Sequence, residues 1–354
     1  MDRTAGEVGF CGCPGQLRVA KTMLHKWEEP ALAGSGGSGA IFFGGCTLQC
    51  AYCQNREIST APVGKEMDLR QEMEKLIAGG AENIDLVTPT QYLPDIIPAL
   101  TPKLPVPVVY NCGGYEKAET IAKLNGLVDI YLPDLKYADN HLAQTLSGAK
   151  DYFAVATRAI QEMVRQVGKP QWEGEKLKKG VIIRHLILPG QVENSLKVLD
   201  WIGDTFAPGQ VLVSLMRQYT PMPGMKAPFD RKITDEEYDA VLSWMYLNDL
   251  EGFTQEESSG DSAYGGRWIA LAALAHIASD VEPDVSTPCH FVPPLLSVVI
   301  SSTSQIKNAS LTECVVFFKM VVGDGFEPSN SERADLQSAA FDRSAIPPRV
   351  KWSG

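Results

Sequence analysis

The chain has 354 residues, 44% of them hydrophobic and 21% charged, which fits a globular protein with a sizeable core. A formal net charge of −11 excludes a general nucleic-acid binder or a protein that lies on anionic membranes, since both need a basic face. The N-terminus lacks the apolar run of a signal peptide, and the longest apolar stretch, Trp268 to Ala278, is far short of the roughly 20 residues that span a bilayer, so a cytoplasmic protein without membrane contact is expected.

The N-terminal segment, residues 1–39, carries His25-Lys-Trp-Glu-Glu-Pro30. Its adjacent carboxylates, Glu28 and Glu29, read as a solvated loop or as part of a site, and the sequence leaves the choice open. The stretch 34–39 matches G-x-G-x-x-G, but it precedes a strand-like run instead of following one. A dinucleotide fingerprint needs the opposite order, so a flexible approach to the first strand is expected. Strand-like runs then occur at 40–44, 83–88, 106–111, 128–132, 180–187 and 210–216. Amphipathic helical stretches are predicted at 66–78, 91–100, 115–125, 151–167 and 192–203, with another at 234–248 after the last strand. Each gap is long enough for a parallel crossover, and the strands are apolar at nearly every position, as strands covered on both faces are. Six β-then-α units predict an α/β fold, an incomplete parallel (β/α)6 TIM-like barrel over residues 40–264. A doubly wound open sheet is the alternative, because periodicity does not fix closure.

Polar residues gather at the C-terminal ends of these strands. They are Thr88 and Thr90, with Pro89 between them, after the second, Asn111 and Cys112 after the third, and Asp134 and Lys136 after the fourth. Arg184 and His185 lie in the second half of the fifth, and Arg217, Gln218 and Tyr219 follow the sixth. In βα barrels that rim holds the active site. Arg184 and His185 are costly to bury without partners, which favours a site role. Cys112 is expected to be a small buried residue.

The first strand ends in the densest chemical signal of the chain. Cys46, Cys50 and Cys53 lie in one loop with C-x3-C-x2-C spacing, while Cys11, Cys13, Cys112, Cys289 and Cys314 are dispersed. In a reducing compartment such thiols bind metal, catalyse or fill cores. Structural zinc and plain ferredoxin-type clusters want four ligands. Three thiolates can hold three irons of a [4Fe–4S] cube and leave the fourth iron open to a small chelating molecule. A zinc knuckle completed by a distant side chain is the rival, and with it a non-catalytic metal-binding protein.

With Tyr52 before its third cysteine, this loop resembles the signature of the radical S-adenosylmethionine (SAM) superfamily. "KWEEP", "GSGAIFFGGCTLQCAYCQNREIS", "LVTPTQY", "YNCGGYE", "DIYLPDLKY", "IIRHLILPGQVENS" and "LMRQYTPMPG" together resemble its pyruvate formate-lyase activating enzyme-like (PflX-type) subfamily over about residues 8–264. The resemblance implies a [4Fe–4S] cluster on Cys46, Cys50 and Cys53 and SAM on the open iron. It also implies reductive cleavage of SAM to a 5′-deoxyadenosyl radical and abstraction of hydrogen from a substrate, such as the glycine of a glycyl-radical enzyme. A flavodoxin or ferredoxin-type reductant is implied as partner. The backbone at Tyr52 would meet the adenine. Thr88, Pro89 and Thr90 stand where the superfamily has a SAM-amine motif, often Gly-Gly-Glu, from which this sequence departs. Asn111 would bond the ribose or carboxylate, and Asp134 and Lys136 would flank the methionyl end. Arg184 would pair with the carboxylate, and His185 and Gln218 would face cofactor or substrate.

Both ends depart from the resemblance. The cysteine-rich stretch that opens members of the subfamily is absent before Cys11, so a truncated start is expected, with Cys11 left from a second metal site. From residue 265 no α/β rhythm is found. Residues 323–348 resemble the peptide that arises when the strand opposite a transfer-RNA gene is translated, so a frameshift near residue 264 is expected. In that case Cys289, His290 and Cys314 carry no chemistry.

Overall fold

A computed structural model describes residues 7–13, 15–26, 28–60, 63–255 and 268–271. Its contacts divide the chain into Met1–Ala272 and Ala273–Gly354, and every described residue lies in the first unit. Apart from 268–271, the expectations for the tail after residue 264, with Cys289, His290, Cys314 and 323–348, lie outside the described residues.

The six predicted strands are present as β2 (Ser38–Phe43), β3 (Ile84–Val87), β4 (Val108–Cys112), β5 (Ile130–Pro133), β7 (Lys176–Leu186) and β8 (Leu212–Met216). They form a parallel sheet in chain order, which β9 (Gly252–Gln255) extends in parallel. Apolar residues alternate onto both covered faces, and Ile84, Leu86, Val109, Tyr110, Ile182 and Ile183 are all buried.

Four strands escaped the sequence reading. β1 (Val19–His25) pairs antiparallel with β2 at one edge, and β10 (Trp268–Leu271) pairs antiparallel with β9 at the other, beyond the expected limit at 264. β6 (Gln171–Glu173) forms a hairpin with β7, so β7 starts four residues earlier than predicted. These strands are short, or lie at edges where one side stays solvated, so their patterns lack the apolar run used to find the rest. In β9, a Cβ at Gly252 (φ 152°) would fall 1.8 Å from the Val213 carbonyl oxygen, so only glycine allows this backbone approach.

The predicted helices correspond to α3 (Leu69–Ala78), α4 (Leu93–Ala99), α5 (Ala118–Ile121), α7 (Tyr152–Val167), α8 (Val192–Thr205) and α9 (Asp235–Leu247). α7 buries Ala156, Ala159, Ile160, Met163, Val164 and Val167, a stripe at helical spacing. Three short helices are additional: α1 (Pro30–Ala33), α2 (Arg56–Ser59) and α6 (Asn140–Ser147). Asp139 caps α6 by accepting from the His141 and Leu142 amides, and Gly148, in the left-handed region at φ 66°, ends it.

α1 closes the interior at the N-terminal ends of the strands. Its Ala31 and Leu32 share one buried cluster with Val109, Ile130, Leu132, Ile182, Leu212 and Phe253, drawn from β4, β5, β7, β8 and β9. Asn83 Nδ2 donates to the Leu32 carbonyl at 2.8 Å and pins α1 to the start of β3. The sheet therefore curves around a common interior. Glu28 hydrogen-bonds Asp85 on β3, while the next residue, Glu29, accepts from Ser214 Oγ on β8 at 3.2 Å. Those strands lie four steps apart in the sheet, which would be roughly 19 Å if the sheet were flat.

Candidate functional site

The cysteine loop leaves the C-terminal end of β2 through Gly44 and Gly45. Gly45 has φ 79°, and a Cβ there would fall 2.2 Å from Cys13 Sγ and 2.5 Å from the Cys11 carbonyl oxygen. A side chain is therefore barred on two counts. Cys13 Sγ donates to the Gly44 carbonyl at 3.0 Å, so this buried cysteine braces the start of the loop. Gln91 Nε2 reaches the Gly44, Gly45 and Thr88 carbonyls, each at 3.0 Å. Farther along, Cys53 N donates to the Cys50 carbonyl, and Ala51 N donates at 2.8 Å to the Leu146 carbonyl near the end of α6.

Each of the three sulfurs meets a hydrogen-bond donor. Leu48 N lies 3.4 Å from Cys46 Sγ, Ser147 Oγ 3.0 Å from Cys50 Sγ, and Ser59 Oγ 3.5 Å from Cys53 Sγ. Burial pushes the Cys46 thiol up to about 11. Burial also pushes Cys50 up, against the pull of the nearby Lys136 ammonium. Among the described residues, no set of three or more His, Cys, Asp or Glu side chains converges to hold one metal ion. On an iron–sulfur cube each cysteine binds a different iron, so its three thiols need not converge on one point. The donor set, three soft sulfurs each with a hydrogen-bond donor, fits such a cluster.

Beside the loop lies a buried polar network made by the inward positions of successive strands. Arg184 on β7 donates from Nε to Asp134 Oδ1 at 2.8 Å and from Nη2 to Asn111 Oδ1 at 2.6 Å. Lys136 Nζ pairs with the other oxygen of Asp134. Asn111 Nδ2 approaches Asp85 Oδ2 at 3.4 Å, and Arg184 Nη1 stands 3.7 Å from Glu28 Oε1. Burial alone would raise Asp134, but Arg184 and Lys136 outweigh it and hold the carboxyl below its usual range. Burial likewise opposes the charge on Lys136, yet Asp134 and Cys50 together raise it.

The carboxyls beneath this pair behave differently. Burial, reinforced by Asp85, pushes Glu28 up to about 7. Burial and then Glu28 push Glu29 up to about 8, and burial pushes Asp85 up to about 6. Glu29 is only 1% exposed, which settles the choice the sequence left open: the Glu-Glu pair is an interior feature and not a solvated loop. Among the described residues Arg184 is the cation that faces all three carboxyls, with His25 3.8 Å from Glu28, so burial is only partly offset and favours their protonated forms.

The predicted residues divide by place. Cys46, Cys50, Cys53, Lys136, Asp134, Arg184 and Asn111 come together, with Lys136 linking thiols to network. Thr88 joins them by backbone, donating its N–H to the Asn111 carbonyl at 2.8 Å. It holds φ 59°, a strained value for a β-branched residue and one that marks functional sites. Gln218 also sits against the loop, its carbonyl accepting from Gln54 Nε2 at 2.9 Å and its side chain from Gln255 Nε2 at 3.2 Å. Tyr52 turns its ring inward, and its hydroxyl meets that of Tyr137 at 2.7 Å. The hydroxyl of Thr90 is committed to the buried Glu116 carboxyl.

His185 is a correction. As the neighbour of Arg184 on a strand it points to the opposite, helix-covered face, where its ring nitrogens meet the Leu135 carbonyl at 2.7 Å and Ser195 Oγ of α8 at 2.9 Å. Burial pushes it down to about 4 and keeps it neutral, so it holds α8 and does not face the network. Cys112 is buried, as expected. Sequence reasoning passed over Gln91, Asp85 and Ser147. Asp85 carried a signal, a lone acid in the apolar run Ile84–Val87, whereas Ser147 carried none.

A family model described as a 4Fe-4S single cluster domain matches residues 32–87, which run from α1 through the cysteine loop to β3. The chain is 30% identical over 251 residues to the uncharacterized protein MJ0674 of Methanocaldococcus jannaschii, a match covering 67% of this chain and 69% of that protein. It is 26% identical over 179 residues to a pyruvate formate-lyase-activating enzyme of Clostridium pasteurianum, covering 47% of this chain and 68% of that enzyme. Among solved structures, Streptococcus suis SuiB aligns with a TM-score of 0.42 at 14% identity, over 62% of this chain. The chain spans about half of SuiB's length, 48%.

Proposed function

Because the chain belongs to the radical SAM superfamily, in one family with the Methanocaldococcus jannaschii relative, we propose that it is an enzyme that cleaves SAM reductively and takes a hydrogen atom from a substrate. In this reading β2–β9 form an incomplete barrel that opens at the C-terminal ends of its strands. The observation that carries it is the placement of the three-thiol loop against the Asp134–Lys136–Arg184 network. Soft ligands for a cluster and a fork of fixed charges for a zwitterion thereby stand side by side.

Cys46, Cys50 and Cys53 would hold a [4Fe–4S] cluster, and the chemistry the bound pair supplies is reductive cleavage of SAM, ending in 5′-deoxyadenosine and methionine. The chain's own part is to bind and orient. Lys136 and Arg184, both already charged, present cations to a carboxylate, while Asp134 presents an anion to an ammonium. Asn111, Gln218 and the backbone at Tyr52, Thr88 and Thr90 complete the contacts that we assign to SAM. The strained Thr88 directs its carbonyl at Gln91 and thereby ties the end of β3 to the cysteine loop. Buried walls around these groups exclude water and strengthen each charge interaction.

The finer reading draws on the Clostridium relative, whose name states activation of pyruvate formate-lyase. By that likeness we propose a protein substrate, the glycine of a glycyl-radical enzyme, and a cytoplasmic flavodoxin or ferredoxin-type reductant. The test is anaerobic reconstitution with iron and sulfide, followed by reduction with SAM present. A brown protein that releases 5′-deoxyadenosine is expected, and Cys46→Ala, Cys50→Ala and Cys53→Ala should each abolish that release. A colourless zinc protein, or a cluster that never cleaves SAM, overturns the proposal in favour of a non-catalytic metal-binding protein.

A further inference from the structure

Cys50 differs from the other two thiols in what stands behind its donor. Ser147 Oγ approaches Cys50 Sγ at 3.0 Å, the shortest of the three contacts to sulfur. The same oxygen lies 2.7 Å from Tyr137 OH, which in turn lies 2.7 Å from Tyr52 OH. All three hydroxyl residues are buried. A ligating thiolate offers only lone pairs, so Ser147 must give it its single proton. Ser147 then has only acceptor capacity left for Tyr137, and Tyr137 for Tyr52. The chain therefore has one direction, Tyr52 to Tyr137 to Ser147 to Cys50, with every proton displaced toward sulfur.

The surroundings hold this arrangement rigidly. A serine in the last turn of a helix commonly folds back on its own i−4 carbonyl. Ser147 ends α6 yet reaches across to the cysteine loop, while the Leu146 carbonyl beside it accepts from Ala51 N. The Tyr137 ring packs edge-on against Tyr152 with centroids 5.1 Å apart, and Tyr152 OH bridges the Gly113 and Asp134 carbonyls at 2.8 and 2.9 Å. Tyr52 is held between Tyr137 and Tyr219, at 6.5 and 5.9 Å.

We propose that Tyr52, Tyr137 and Ser147 form a polarised hydroxyl relay that donates to Cys50 Sγ and raises the reduction potential of the cluster bound there. The inference rests on the cluster reading above and assigns the three residues a positioning role, since they act only through the Cys50 sulfur, which Ser147 and Tyr137 both hydrogen-bond. Reduction adds one electron, from an external low-potential donor, and the added negative charge spreads over the cluster and its sulfurs. A donor aimed at sulfur stabilises that reduced form more than the oxidised one. Each hydroxyl in line strengthens the next, so the effect should fade with distance from sulfur.

The test is a redox titration, followed by electron paramagnetic resonance, of the anaerobically reconstituted full chain and of Ser147→Ala, Ser147→Thr, Tyr137→Phe and Tyr52→Phe. Iron and sulfide content and visible absorption are recorded first. Ser147→Ala should make the reduced cluster about tenfold less favoured, which is about 59 mV lower for one electron. Tyr137→Phe should shift in the same direction by less, Tyr52→Phe by less again, and Ser147→Thr should stay near wild type. A fully loaded Ser147→Ala with an unchanged midpoint overturns the relay. If Ser147→Ala does not load, Tyr137→Phe decides, and an unchanged midpoint there overturns it equally. A wild-type chain that never assembles a cluster defeats the underlying reading instead, and the iron and sulfide analysis registers that outcome separately.

Discussion

The two ends of the parallel strands are built from opposite chemistry although they belong to the same segments. At the N-terminal end, Val109, Ile130, Ile182 and Leu212 close around Ala31 and Leu32 of α1. Two residues farther along, β4 and β8 present Asn111 and Ser214 to the interior. Arg184 does so on β7, and Asp134 follows β5. Because side chains alternate with a period of two, each strand can carry an apolar residue for the closed end and a polar one for the open end on the same face. One end supplies stability by burial, and the other holds charges that cost stability to bury.

Cutting into each end separately should break the comparison in different ways. The largest effect is expected at the open end. Arg184→Met removes the cation that serves Asp134, Asn111 and Glu28 together, and breaking a buried pair by deleting one partner costs about 3–5 kcal/mol. Denaturant unfolding should show that loss, and Asp134→Asn added to it should restore part, because the stranded carboxylate is then neutral. Formation of 5′-deoxyadenosine should disappear in both variants. At the closed end, Leu32→Ala removes a side chain that is 3% exposed, for about 2–5 kcal/mol. Here 5′-deoxyadenosine formed per assembled cluster should not change. A loss of turnover matching the loss of stability would show that the two ends are not independent.

That contrast also explains what could be read in the sequence. The strands β2, β3, β4, β5, β7 and β8 were legible because burial on both faces leaves a continuous apolar run, and Cys46, Cys50 and Cys53 because three thiols within one loop are rare without a metal. Asn111, Asp134, Lys136 and Arg184 were legible as polar residues at strand ends. The direction of His185 was not, since a one-residue step reverses the face and nothing in an apolar run marks its register. The burial of Glu28 and Glu29 was hidden because it depends on α1 entering the interior, and a four-residue helix has almost no periodic signature. Ser147 is visible only once α6 is docked, through a contact spanning 97 residues.

The smallest expected effect sharpens the comparison by titration. Glu29, pushed up to about 8 by burial and by Glu28, keeps its proton in the folded chain over a range where the unfolded chain, near the ordinary glutamate value of 4.5, has lost it. Between those values the folded state binds more protons, so stability is greatest below about pH 4.5 and falls as pH rises toward 8. One such group changes stability by about 1.4 kcal/mol per pH unit at most. On the helix-covered face His185, pushed down to about 4 by burial, acts in the reverse sense: its contribution is complete above pH 6.5 and is lost on acidification. Glu29→Gln keeps the acceptor for Ser214 Oγ but removes the titration. Denaturant midpoints at pH 5, 6, 7 and 8 should therefore fall less steeply in the variant than in wild type, with the two curves closest at the acidic end. Parallel curves would mean that Glu29 is already ionised in the folded protein. The open end would then be a balanced set of ion pairs, and not a layer of carboxyls neutralised by shared protons beneath Arg184.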